Sequence, residues 1–430
     1  MKENRRSFIR KSGWLAGSLG ISPALFSTPH PMAEIEFPAH PALDQLKPSL
    51  NGIVPISEGE RKQRIEKAQQ LMQQEKLDAI FMEGTTTCNY YTGLRWGQSE
   101  RTFGLVIPAK GAIAYVCPKF EEDRARELIN PVFGQEVRCW EEHESPFALI
   151  VGIVKDRGVK HRRIGIEERV RFFIADGIRQ LGRSWEIADA TPVTAGCRMY
   201  KSAAELALMQ KANDVTIEAY KVAFSTIQPG MTQSQLSRII SAAFEKLGFT
   251  GGASVQVGKY SAMPHGSIKP QQIMEGDVVM VDGGTSCQGY ASDITRTIVV
   301  GKPSDKQIAV WNLEKKAQDA AFAAIRLGAP CEVVDAAARA VIENGGYQKN
   351  YGLPGLPHRT GHGIGMEGHE WTNFVKGNTT PIGVGMCFSD EPTISIPGEF
   401  GIRLEDCLYI TEDGPRFFTP QSVSIEQPFG

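Results

Sequence analysis

Residues 278–300, VVMVDGGTSCQGYASDITRTIVV, constrain the fold more than any other stretch of the chain. The apolar run 278–281 ends in Asp282, a glycine-rich polar turn follows, and a second β-branched run returns through Asp293, Thr295 and Thr297. Two such runs joined by a glycine-rich connection read as an antiparallel hairpin. The hairpin carries both aspartates to one end. Two carboxylates held that close repel each other unless a cation or a shared proton lies between them. A pair of ordinary turn residues would give the same local pattern, so the weight falls on the acids and imidazoles elsewhere in the chain.

Length and composition allow two domains with substantial cores: 430 residues, 41% hydrophobic and 22% charged. A net charge of −2 gives no reason to expect nucleic acid or an anionic membrane as a partner. The eight cysteines are scattered without a CxxC pair, which excludes a zinc ribbon or a dithiol redox motif. No apolar run is long enough to anchor the chain in a membrane. The N-terminus is set aside as a targeting segment. Arg5-Arg6-Ser7-Phe8-Ile9-Arg10-Lys11 precedes a weakly apolar stretch and resembles a bacterial twin-arginine export signal. It departs from that pattern at Asn4, Ile9 and Arg10. The expectation is a signal over 1–33, cleaved near Ala33, and a periplasmic or extracellular protein.

Residues 34–56 carry prolines 38, 41, 48 and 55 without periodicity and read as a linker on the domain surface. A capping box, Ser57-x-x-Glu60, starts a helix that buries Ile65, Ala68, Leu71 and Met72. Strand-like runs at 79–82, 103–107, 112–117, 137–140 and 163–166 alternate with helical segments near 119–130, 146–156 and 171–182. Alternation of this kind predicts an α/β domain over 57–197. It holds no catalytic constellation. Its loop 89–101, NYYTGLRWGQSER, offers Trp96 and Arg101 as a binding lip or as local packing. From 198 to 430 the pattern changes. Long helices (202–227, 232–247, 305–327, 332–345) and antiparallel strands fall in separate blocks, which predicts an α+β domain. Thr232 and Gln235 form a second capping box.

This second half also concentrates acids and histidines. His358-Arg-Thr-Gly-His362-Gly-Ile-Gly-Met-Glu-Gly-His369 packs three of the chain's eight histidines among glycines that leave the backbone bare. His265 lies in a Pro-Gly loop ahead of the hairpin. Downstream come Ser389-Asp390-Glu391-Pro392 and a returning strand with Arg403 and Glu405 on one face, Ile402 and Leu404 on the other. Asp282, Asp293, His362, Glu391 and Glu405 make an oxygen-rich set suited to two hard or borderline divalent ions, Mn²⁺ first, with Co²⁺, Zn²⁺ or Fe²⁺ as alternatives.

The order of those five residues resembles the ligand signature of the pita-bread metallopeptidases. That group includes methionine aminopeptidase, aminopeptidase P and prolidase. The likeness spans nearly all of 198–420 and includes the Asp-x-Thr-Arg hairpin, the GHGIG-x-x-x-HE segment and the GEFG-I-R-L-ED ending. The domain before it is similar to the creatinase-type N-terminal domain, which favours the proline-directed branch. The resemblance implies a dinuclear peptidase hydrolysing the Xaa-Pro bond of short peptides by a metal-bridging hydroxide. Asp282 would chelate one ion, His362 and Glu391 the other, and Asp293 and Glu405 would bridge. Glu391 would take the water's proton, and His265 and His369 would stabilise the tetrahedral intermediate and leaving nitrogen. His358 and Arg403 would position the proline side or the carboxylate. A homo-oligomer is implied, with the Trp96–Arg101 loop reaching a neighbour's cleft. Ser389-Asp390 departs from the family's usual run before Glu391 and alters the adjacent wall. The alternative is a same-fold lyase or amidinohydrolase acting on a small substrate.

Overall fold

The computed structural model describes residues 40–133, 136–181 and 184–430. The twin-arginine reading at Arg5 and Arg6 and the expected cleavage near Ala33 lie outside the described residues.

The first half is one mixed sheet, in the order β4-β3-β2-β1-β5-β6. Its strands are β1 (Ala79–Glu83), β2 (Gly104–Pro108), β3 (Ala114–Pro118), β4 (Val137–Trp140), β5 (Arg163–Ile166) and β6 (Glu186–Asp189). Alternate residues feed two separate cores: Ile80, Met82, Leu105 and Ile107 face one way, Ala79, Phe81 and Val106 the other. A sheet covered on both faces explains why these strands read as continuous apolar runs. The helices around it are α1 (Glu58–Gln74), α2 (Thr86–Thr92), α3 (Glu122–Leu128), α4 (Pro146–Asp156), α5 (Phe172–Gln180) and α6 (Thr191–Arg198). Sequence periodicity missed β6, α2 and α6. The first is a short edge strand, half-exposed, and α2 is built from Thr, Cys, Asn and Tyr, which carry little helical preference.

Ser57 caps α1 as expected, accepting the Glu60 amide at 3.1 Å. The Glu60 side chain does not complete the box. It turns instead to Arg64 (2.8 Å) and to the Ser202 hydroxyl (2.7 Å). Arg64 therefore takes a buried place on α1 beside Ala68 and Met72, and it reaches Tyr290 (3.0 Å) and Glu205 (3.3 Å) of the second half. Residues 40–56 do more than link. Leu43, Leu46 and Ile56 are buried in the core formed with α7 (Ala203–Phe224) and α8 (Gln233–Lys246).

In the second half, β7 (Gly251–Val257), β8 (Val278–Cys287) and β10 (Ile294–Val299) form an antiparallel sheet, with the short β9 (Tyr290–Ala291) folded onto β8. The hairpin of 278–300 is thus present, with Thr295 opposite Asp282. The capping box at Thr232 and Gln235 forms, as do two more at Ser202/Glu205 and Ser304/Gln307. A second sheet runs β12-β11-β13-β16-β17, from β11 (Gly361–Gly363), β12 (Glu370–Phe374), β13 (Cys387–Asp390), β16 (Asp406–Thr411) and β17 (Gly414–Phe417). The hairpin β14 (Thr393–Ile396) and β15 (Phe400–Arg403) completes the strands. Helices α9 (Asp305–Ala324) and α10 (Glu332–Asn344) share their core with this group. Paired amide bonds between Thr295 and Glu405, at 3.3 and 3.2 Å, stitch β10 to the turn ahead of β16. Among the described residues no helix is long and apolar enough to cross a membrane.

Candidate active site

Every second-half residue given a metal, catalytic or substrate role in the sequence lines one cavity of about 520 Å³, whereas Ser389 and Asp390 are fully buried behind Glu391 and are not part of its lining. Asp282 ends the buried stretch of β8, Asp293 stands one residue ahead of β10, and His362 is the centre of β11. Glu391 follows β13, Arg403 closes β15, and Glu405 precedes β16. Strand alternation does the sorting: Ile402 and Leu404 go to the core, Arg403 and Glu405 to the cavity. The ligand-type atoms of Asp293, His362 and Glu405 lie within 4.8 Å of one another. His362 Nε2 stands 3.4 Å from Glu391, 3.7 Å from Glu405 and 3.8 Å from Asp293. The ring of His369 meets that of His362 edge-on at 4.2 Å.

Comparison with known proteins places this geometry. Residues 207–412 match the model of metallopeptidase family M24, and residues 64–200 match that of the creatinase/prolidase N-terminal domain. An Xaa-Pro dipeptidase from Lactobacillus delbrueckii subsp. lactis is 31% identical over 371 residues, covering 84% of this chain and 98% of the relative. The chain belongs to metallopeptidase family M24. Solved structures agree. Dipeptidase PepE from Mycobacterium ulcerans aligns with a TM-score of 0.80 at 29% identity, over 86% of this chain and 98% of that one. A prolidase from Thermococcus sibiricus aligns at 0.75 with 28% identity, over 84% and 97%. The architecture is therefore a creatinase-type α/β N-terminal domain followed by the α+β pita-bread catalytic domain of a hydrolase.

The donor set fits the divalent metal that the M24 family implies. His362 Nδ1 lies 3.1 Å from its neighbour's carbonyl at Gly363, so Nδ1 carries a proton and Nε2 is the nitrogen turned toward the acids, where a cation would take its lone pair. Glu405 Oε1 is buried with no hydrogen-bond partner among the described residues, as befits an oxygen reserved for a cation. Thr295 adds a constraint. Its single hydroxyl proton is shared between Glu405 (2.7 Å) and Asp282 (3.0 Å), so it can satisfy one carboxylate at a time. Burial would raise Glu405, yet the His362 imidazole and the Arg403 guanidinium outweigh it and hold the carboxyl down at about 2. Burial, and then the charge of Glu405, push Glu391 up to about 7. Asp293 is raised well above the carboxylate range by burial and by the Glu405 and Asp282 charges. His362 is raised because Glu405 and Glu391 overcome its desolvation.

Arg403 is already spent on the protein. Its guanidinium contacts Asp282, Nε donates to Thr295 (3.1 Å) and Nη1 to the Pro264 carbonyl (3.3 Å). His358 is likewise occupied. Nδ1 donates to the Arg359 carbonyl (2.7 Å), Nε2 accepts from Thr393 (3.0 Å), and burial with the Arg403 charge pushes the ring down to about 4, so it is neutral. Sequence reasoning gave no site role to Thr295 or Arg359. Thr295 was legible as the residue two on from Asp293, on the same strand face. Arg359 also lines the cavity, and among the described residues no side-chain hydrogen bond or ion pair engages its guanidinium. Nothing local distinguished it from a solvated arginine. On the N-terminal domain, Trp96 stacks on Phe103 at 3.9 Å beneath Arg124, and Arg101 pairs with Glu142 (2.8 Å) and Glu100. Neither lines the cavity.

Proposed function

We propose that this M24 enzyme is an Xaa-Pro dipeptidase using two divalent ions, manganese first, held by Asp282, Asp293, His362, Glu391 and Glu405. The observation that carries the reading is an uncommitted guanidinium, Arg359, in the same cavity as four converging carboxylates and an imidazole. A dipeptide presents its carboxylate one residue from the scissile bond, and a planar, permanently charged fork suits that group. The names borne by the relatives, Xaa-Pro dipeptidase, prolidase and dipeptidase, support the same substrate class. When bound, the ions supply polarisation of the scissile carbonyl and an activated water. Glu391, with its raised affinity for a proton, accepts the water's proton; His369 and the exposed His265 line the same cavity and would stabilise the tetrahedral oxygen and the leaving nitrogen. We further propose export through the Arg5-Arg6 segment, and a homo-oligomer.

A metal-reconstituted enzyme should hydrolyse Xaa-Pro dipeptides and leave their amides and the matching tripeptides nearly untouched. Arg359→Met should raise KM for the dipeptide by roughly tenfold or more, the loss expected for a charge-assisted contact. Equal turnover of tripeptides, or a preference for peptides lacking proline, would defeat the reading.

A further inference from the structure

Asp335 and Arg339 lie one helical turn apart on α10 and form a buried pair, Nε to Oδ2 at 2.7 Å. Their other bonds all run to one segment. Arg339 Nη1 donates to the carbonyls of Asn350 (2.6 Å) and Leu356 (3.0 Å), and Nη2 to that of His358. The guanidinium also lies 4.2 Å over the Tyr351 ring. Asp335 Oδ1 accepts the Thr360 amide (3.1 Å) and hydroxyl (2.8 Å). The Thr360 carbonyl in turn accepts the amide of Glu391 at 2.8 Å.

Residues 356–359 belong to no helix or strand and no ladder fixes them, whereas Thr360 abuts β11 and its amide also donates to the Phe374 carbonyl of β12 at 3.1 Å. Two side chains on a neighbouring helix hold the main chain on both sides of Arg359. A rigid fork with five donors can serve three carbonyls and a carboxylate together; an ammonium cannot. Neither side chain lines the catalytic cavity. Both border a separate recess of about 430 Å³ on the outer side of α10, beside Asn350 and Lys376.

We propose that Asp335 and Arg339 are positioning residues: they hold the main chain of His358 and Thr360 so that Arg359 faces the carboxy side of the substrate, without touching it themselves. This rests on reading the cavity as a peptide site. It predicts a division of labour, because Asp282, Asp293 and Glu405 are carried by segments that the clamp does not contact, and His362 and Glu391 are held by the sheet bonds of β11 and β13.

The test uses the full-length, metal-loaded enzyme and the peptide that the wild type cleaves fastest in a panel. A wrong assignment of proline would then appear in the wild-type panel and leave the comparison intact. Arg339→Lys keeps a charge opposite Asp335 and loses the fork. It should raise KM by roughly tenfold, with kcat within about twofold and bound metal per chain unchanged. A normal KM with a lowered Tm would overturn the proposal, since a mere brace would behave that way. Arg339→Ala opens the outer recess, and added guanidinium ion at non-denaturing concentration should bring its KM back toward the wild-type value. No recovery would also overturn it. Loss of metal in parallel with activity in either variant would show that the clamp serves the metal site rather than the substrate wall, and would sink the proposal as stated.

Discussion

Replacing Arg296 by methionine would show how the site is held together. Arg296 is fully buried on β10. Its Nη2 donates to Asp406 Oδ1 (2.7 Å) and the Pro420 carbonyl (3.0 Å), and its Nη1 to the carbonyls of Thr295 (3.0 Å) and Glu405 (2.9 Å). One guanidinium thus ties the strand after Asp293 to the main chain of Glu405. Methionine preserves most of the volume and strands Asp406, itself fully buried, without its counter-charge. Removing one partner of such a pair costs about 3–5 kcal/mol. Two features favour the lower half of that range. Thr419 (2.8 Å) and Gln318 (3.2 Å) still donate to Asp406, and the Glu405 carbonyl keeps the Thr295 amide. The expected cost of about 3–4 kcal/mol corresponds to a fall in Tm of roughly 5–12 °C for a chain of this size. The double variant Arg296→Met/Asp406→Asn removes the stranded charge while keeping an acceptor for Thr419, and should recover about half the loss. Thermal melts followed by circular dichroism, first with chelator and then with Mn²⁺, keep metal binding from masking the effect. A single variant within about 1 °C of wild type would refute the reasoning. So would a double variant no more stable than the single one.

Three further outcomes are expected. Asp293→Asn should lower bound metal and turnover together, because one fewer negative charge is left to neutralise two cations; full metal content with full turnover would remove Asp293 from the ligand set. Glu314 on α9 is fully buried, neither oxygen has a hydrogen-bond partner among the described residues, and burial raises its carboxyl well above the usual range, while the Leu404 amide pulls the other way without closing a bond. A carboxyl raised in the folded state keeps a proton that the unfolded chain has released, so it removes about 1.4 kcal/mol of stability per pH unit as pH climbs through that window. The Tm advantage of Glu314→Met over wild type should therefore widen from about pH 5 to pH 8; a constant or narrowing gap in melts across that range would contradict it. Replacing Arg5 and Arg6 by Lys should leave the protein in the cytoplasm, and unchanged periplasmic recovery on fractionation would dismiss the export proposal.

What the sequence determined by itself was the type and spacing of the reactive groups. Alternation along a strand is a local property, so Arg403 and Glu405 could be assigned to one face and Ile402 and Leu404 to the other before any partner was known. The hairpin carrying Asp282 and Asp293 was legible for the same reason, and so were the helix starts at Ser57 and Thr232, where a side chain caps an amide three residues away. Tertiary structure decided how those groups spend their bonds. Glu60 leaves its own cap for Arg64 and Ser202, Arg403 is committed to Asp282 and Thr295, and Trp96 is taken up by Phe103. Arg359, indistinguishable in sequence from any solvated arginine, is left in the cavity with no side-chain partner among the described residues, while Arg339 and Asp335, equally plain, hold the chain before and after it. Several of these outcomes depend on partners far along the chain, as Glu60 does on Ser202 and Arg403 on Asp282 and Thr295. A charged side chain has several possible partners of similar intrinsic strength, and only packing decides which of them arrives without water between.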